Sequence, residues 1–201
     1  MLRHCGVFLG ADAGEIEDRK FHESAGLKKV NQYWLGQLID FPYAPKGVHQ
    51  FQKVEKSIPS KALHLIQSID TETLLGDFFR GTDSISCWGW KDPRNSATAA
   101  IWKIIFPQAR IVVMQRTWQE NFRHQPSKSE AGAWYRQESS AEVRDFYDHP
   151  VLIEKDELLR VDFDSLLENE HELNRLLVEL GLQDQIVTDF GAFRQRVGIE
   201  S

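Results

Sequence analysis

Ser84-Ile85-Ser86-Cys87-Trp88-Gly89-Trp90 alternates apolar and small residues and then stops at Lys91-Asp92-Pro93-Arg94. That pattern predicts a strand running into a loop. Asn95 or Ser96 is placed to cap a following helix, Ala97 to about Phe106, which Pro107 ends. Ile111-Val112-Val113-Met114 is then a continuous apolar run of the kind found in a parallel strand covered on both faces. A strand, a helix and a second strand in this order define a right-handed crossover unit, so the segment sets the expected class as α/β with a mainly parallel sheet.

The flanking sequence extends the alternation. Phe21, Leu27, Val30, Trp34 and Leu38 recur by threes and fours, predicting a helix from Glu15 to about Leu38. Phe41-Pro42-Tyr43-Ala44-Pro45-Lys46-Gly47 is a loop. A second helix is expected from Pro59-Ser60 towards Phe79, with Leu63, Ile66, Ile69 and Leu74 on one side. Thr117 to about Arg123 reads as a short helix and Ser129 to about Tyr147 as a longer one, with Trp134, Val143 and Phe146 inward. Leu158 to Phe163 reads as a strand. Glu170 to Leu180 is an amphipathic helix, with Leu173, Leu176, Leu177 and Leu180 inward and Gly181 at its end. Gly6-Val7-Phe8-Leu9-Gly10 is apolar but too short to assign.

Composition narrows the function. The 201 residues fit one α/β domain, and 41% hydrophobic with 27% charged residues is ordinary globular usage. Twenty-four Lys and Arg against 30 Asp and Glu give a net charge of −6, which demotes sequence-independent nucleic-acid binding. Cys5 and Cys87 form neither a disulfide framework nor a zinc site and are expected as small buried residues in a reducing compartment. With no bilayer-length apolar run and no signal layout at Met1 to Gly14, a cytoplasmic protein without membrane association is expected.

Ligands of parallel sheets bind beyond the carboxyl ends of the strands. Here two such ends are basic. Lys91 and Arg94 follow the first strand and Arg116 the second, with Arg123 and His124 beyond. Arginine's planar fork suits phosphate or sulfate oxygens, lysine adds a movable charge, and the helix starting near Asn95 adds its positive end. The plainer reading is a set of rim salt bridges to Asp92, Glu120 or Asp83. Trp88, Trp90 and Trp102 are expected as wall and core, with stacking on an adenine as the functional alternative. His22, His49, His64, His149 and His171 have no partners at recognisable spacing.

Trp88-Gly89-Trp90-Lys91-Asp92-Pro93-Arg94, then Trp102, Phe106-Pro107-Gln108-Ala109-Arg110 and Ile111 to Arg116, resembles the central part of the sulfotransferase family. So do Gly6 to Gly10 with Glu17-Asp18-Arg19 and Phe21, and Val161-Asp162-Phe163-Asp164-Ser165-Leu166-Leu167 followed by Leu180-Gly181-Leu182. The resemblance covers most of the chain in the family's order. It implies a three-layer, P-loop-like α/β sandwich and the sulfuryl donor 3′-phosphoadenosine 5′-phosphosulfate (PAPS). It implies no metal, and a small-molecule or glycan acceptor with a hydroxyl or amine. Arg94, Arg116 and His124 would bind the donor. Lys91 would be catalytic, with Glu17 as first and Asp92 as second candidate for the base.

Two departures accompany the resemblance. No G-x-x-x-x-G-K-[ST] or G-x-x-R-S-G-T loop occurs in these residues, so the first strand and the 5′-phosphosulfate loop are expected to be missing, as in an N-terminally truncated family member. The family's serine eight residues after the arginine is His124 here, counting from Arg116. The rival reading is therefore a catalytically inactive remnant that binds a nucleotide weakly or serves as a protein-interaction module. A nucleotide kinase on the related fold is weaker still, for want of a Walker A loop. The edge left by a missing strand is expected to be repaired by a homodimer or by Gly6 to Leu9 moving into the gap, or to leave the chain poorly stable.

Overall fold

A computed structural model describes residues 5, 7–10, 24–43, 45, 47–81, 85, 87–115 and 141–196. The chain is α/β and mostly helical. In order come α1 (Ala25–Ile39), α2 (Val48–Gln67), α3 (Thr71–Phe78), α4 (Asn95–Ile105), β1 (Ile111–Gln115), α5 (Ala141–Asp148), β2 (Leu158–Asp162), α6 (Phe163–Glu168), α7 (Glu170–Glu179) and α8 (Phe190–Arg196). β1 and β2 form a two-stranded parallel sheet, in register from Ile111 opposite Leu158 to Gln115 opposite Asp162. The apolar Val7–Leu9 segment lies parallel to Cys87–Gly89. Phe8 N–H donates to the Cys87 carbonyl, and Gly89 N–H donates to the Phe8 carbonyl, both at 3.0 Å.

Side chains of these extended segments divide between two apolar clusters, as a period of two requires. Phe8, Trp88 and Trp90 join a cluster built from α1, α2, α4 and Val151. Val7, Leu9 and Cys87 join Val112, Leu159, Val161 and the inward leucines of α6 and α7. Burial pushes the Cys87 thiol above its ordinary pKa, which suits a packed, protonated side chain.

α1 begins where Ser24 accepts a hydrogen bond from Leu27 N–H at 3.2 Å, so the helix carrying Leu27 to Leu38 starts at Ala25. The expected stretch before it, from Glu15 to Glu23, lies outside the described residues. The largest difference from the sequence reading is α2, which starts at Val48 with Pro59 in its interior. An interior proline costs about 3 kcal/mol. Against that, Phe51, Val54, Ile58 and Leu65 form a buried stripe along α2, each contributing roughly 1.5–3 kcal/mol, so the stripe wins. Pro59 itself is exposed, as is Leu63, which had been expected inward. The helix also stops before Phe79, because Asp70 caps a separate α3 through Thr73 N–H.

The part of the predicted Ser129–Tyr147 helix that is described is α5, whose Val143, Phe146 and Tyr147 pack on the first cluster. The predicted helix from Thr117 and Trp134 lie outside the described residues. α7 ends as its glycine implies: Gly181 has φ of 76°, Leu182 N–H bonds the Leu177 carbonyl at 2.7 Å and Gly181 N–H the Val178 carbonyl at 3.0 Å.

Asp162 closes β2 and caps α6, accepting Ser165 N–H at 2.7 Å. That bond holds its carboxyl below the ordinary value. A depressed folded-state pKa gives stability that is present above the unfolded value and is lost as pH falls through the folded one. Asp162→Ala is therefore expected to cost about 1 kcal/mol at neutral pH. In urea titrations across pH, the gap from the parent protein should close below about pH 4. A gap that persists at acid pH would remove the carboxylate from the explanation.

Candidate functional site

The Lys91-Asp92-Pro93-Arg94 turn opens α4, and its shape follows from its residues. Pro93 has no N–H and a fixed φ, so it sits comfortably ahead of a helix. Asp92 folds its carboxylate back over the turn. Its Oδ1 accepts both Arg94 backbone N–H at 2.9 Å and Arg94 Nη1 at 2.8 Å, while its main-chain carbonyl accepts Asn95 N–H at 3.0 Å. Ser96 hydroxyl donates to the Pro93 carbonyl at 2.9 Å. A carboxylate here also faces the positive end of α4.

Asp92 is buried, with 1% of its side chain exposed against 11% for Arg94. The plainer of the two readings of these cations thus describes Arg94 in part: it is paired with Asp92, but in a buried pair and not at an exposed rim. The second carboxylate oxygen goes elsewhere. Asn31 of α1 donates through Nδ2 to Asp92 Oδ2 and to Asn95 Oδ1, each at 2.9 Å. Its Oδ1 accepts Thr98 Oγ1 and Trp102 Nε1, each at 2.8 Å. Indole only donates and carboxylate only accepts, so chemistry fixes which end of this amide faces which partner.

Around the turn stands an aromatic array. Trp34 and Trp102 lie 4.6 Å apart between ring centroids, Trp90 and Trp102 5.0 Å, and Trp88 stacks on Trp90 at 5.8 Å. All belong to or pack on the first apolar cluster, as wall and core. Trp90 Nε1 and Arg94 Nε are buried and have no hydrogen-bond partner among the described residues.

Of the residues singled out from sequence, Asp92 and Arg94 are brought together and Lys91 is exposed on the same turn. Glu17, Arg116 and His124 lie outside the described residues, as do Arg123, Glu120 and Asp83. β1 ends at Gln115, the residue before Arg116. Asn31 was missed. The available signal was a polar residue on the buried stripe of α1, between Val30 and Trp34.

Among the described residues no group of three or more His, Cys, Asp or Glu side chains could hold a metal ion, and no helix is long and apolar enough to cross a membrane. In comparisons with known proteins, no family model, no curated protein and no solved structure matches this chain.

Proposed function

We propose that this chain is a sulfotransferase-like protein, built on a P-loop-like three-layer α/β sandwich, that transfers a sulfuryl group from PAPS to a hydroxyl or amine acceptor. The observation that supports this reading is the order extended segment, Lys91–Arg94 turn, α4, β1, with one arginine held on a buried carboxylate at the head of α4 and another directly after β1 in sequence. Arg94, Arg116 and His124 serve the phosphates of the donor. Lys91 supplies positive charge to the departing bridging oxygen.

In the reaction the acceptor oxygen or nitrogen forms a bond to sulfur as the bridging oxygen–sulfur bond breaks. Adenosine 3′,5′-bisphosphate leaves and the acceptor's proton passes to a base. Asp92 already accepts from Arg94 and Asn31 through both oxygens, so in this reading it holds Arg94, and the base is Glu17.

The test is calorimetric and thermal titration with adenosine 3′,5′-bisphosphate, with Arg116→Ala as control. Ligand at about 100 times its dissociation constant adds roughly 2.7 kcal/mol to a native state. For a chain of this size the expected rise in melting midpoint is about 5–10 °C, lost in the variant. No heat and no shift would reject nucleotide binding and leave the protein-interaction module as the reading to pursue.

A further inference from the structure

A strand has two edges, and β2 gives one of them to β1. Successive residues of a strand send their N–H and C=O groups to alternate edges. Leu158 N–H donates to the Lys155 carbonyl and so points away from β1. By the same alternation the backbone groups of Arg160 and Asp162 lie on the outer edge as well. Among the described residues, what meets that edge is not a strand. Arg175 of α7 donates through Nη2 to the Arg160 carbonyl at 3.2 Å. Two carboxylates of its own helix hold the guanidinium there. Glu172 accepts from Nε at 3.0 Å and from Nη2 at 2.6 Å, and Glu179 accepts from Nη1 at 2.5 Å.

An open edge is a template for another chain, and proteins blunt it with proline, with repelling charge or with a covering group. β2, Leu158-Leu159-Arg160-Val161-Asp162, contains no proline. Its charges also invite its own copy. Paired antiparallel about a twofold axis at Val161, Arg160 of each copy stands opposite Asp162 of the other, a favourable cross-strand pair of opposite charge.

We propose that Arg175 is an autoinhibitory contact, occupying the outer edge of β2 so that a second copy of this chain cannot add its own β2 there. Removing the guanidinium returns the Arg160 carbonyl to the edge, and the outward groups of Arg160 and Asp162 become available for strand addition between identical chains. This role is independent of the sulfotransferase reading, because it draws on no residue assigned to donor or acceptor.

The experiment is sedimentation velocity over a concentration series, comparing the full chain with Arg175→Ala. The variant should form a defined dimer at least about tenfold more tightly than the parent, the worth of one hydrogen bond to a charged group. Adding Arg160→Asp to Arg175→Ala sets like charges opposite each other across the axis and should return association to the parental level. A folded Arg175→Ala that associates no more tightly than the parent overturns the proposal. So does aggregation without a dimer boundary, or a double variant that still dimerises as the single one does. If Arg175→Ala does not fold, Arg175→Met, which keeps a long stem for packing and removes the charged donors, takes its place with the same expected result. Failure of both to fold would assign Arg175 to the stability of the fold and overturn the autoinhibitory role.

Discussion

Asp92→Ala is expected to destabilise the protein by about 3–5 kcal/mol, the usual consequence of removing one partner from a buried ion pair. For a chain of this size that lowers the melting midpoint by about 10–15 °C. Arg94 loses its one side-chain partner among the described residues, Arg94 N–H loses its acceptor, and the Asn31 amide loses one of two. Solvent can do little to replace these, since the Asp92 side chain is 1% exposed. The exposed Arg80–Asp77 pair makes the control. Asp77→Ala should cost at most about 1 kcal/mol, because water screens an open pair and replaces it readily. Urea unfolding of both variants settles the comparison, and equal small losses would show that the Asp92 carboxylate is not structural.

The second large effect belongs to Trp34. Its ring is fully buried between α1 and α4 against Trp102, and its Nε1 donates to the Leu65 carbonyl of α2 at 3.1 Å. Trp34→Ala removes both the filled volume and the tie between helices, for an expected loss of about 3–5 kcal/mol. Trp34→Phe keeps most of the packing and removes the donor. Ser68 hydroxyl still donates to the Leu65 carbonyl at 2.7 Å, so the loss should be nearer 1 kcal/mol beyond the volume change. The midpoint in urea should fall without a change of slope. A phenylalanine variant as damaged as the alanine one would mean that the hydrogen bond, and not the packing, carries the site.

What could be read from sequence was what neighbouring residues decide. α4 stops at Ile105 because Pro107 cannot continue it, α7 stops because Gly181 takes a left-handed turn, and Ile111–Met114 pairs as a parallel strand. Pro59 misled for the same reason. As a local signal it marks a helix start, but the stripe from Phe51 to Leu65 that overrides it acts through contacts with α1 and α4. The turn at Lys91–Arg94 was legible as a basic end of an extended segment, which makes a single bridge to Phe8 where a strand was expected. Its wiring was not, because the amide that sets it stands 61 positions away, on a helix whose pattern is otherwise apolar.

The placement of Val7–Leu9 carries a mechanical consequence. Adjacent residues of this short segment are lodged in different apolar clusters, Phe8 in one, Val7 and Leu9 in the other. Detaching it therefore opens cavities on both sides at once, and neither cluster can loosen alone without slackening the rivet that passes into its neighbour. The two bodies of side chains are thus coupled in melting by three residues and two backbone hydrogen bonds.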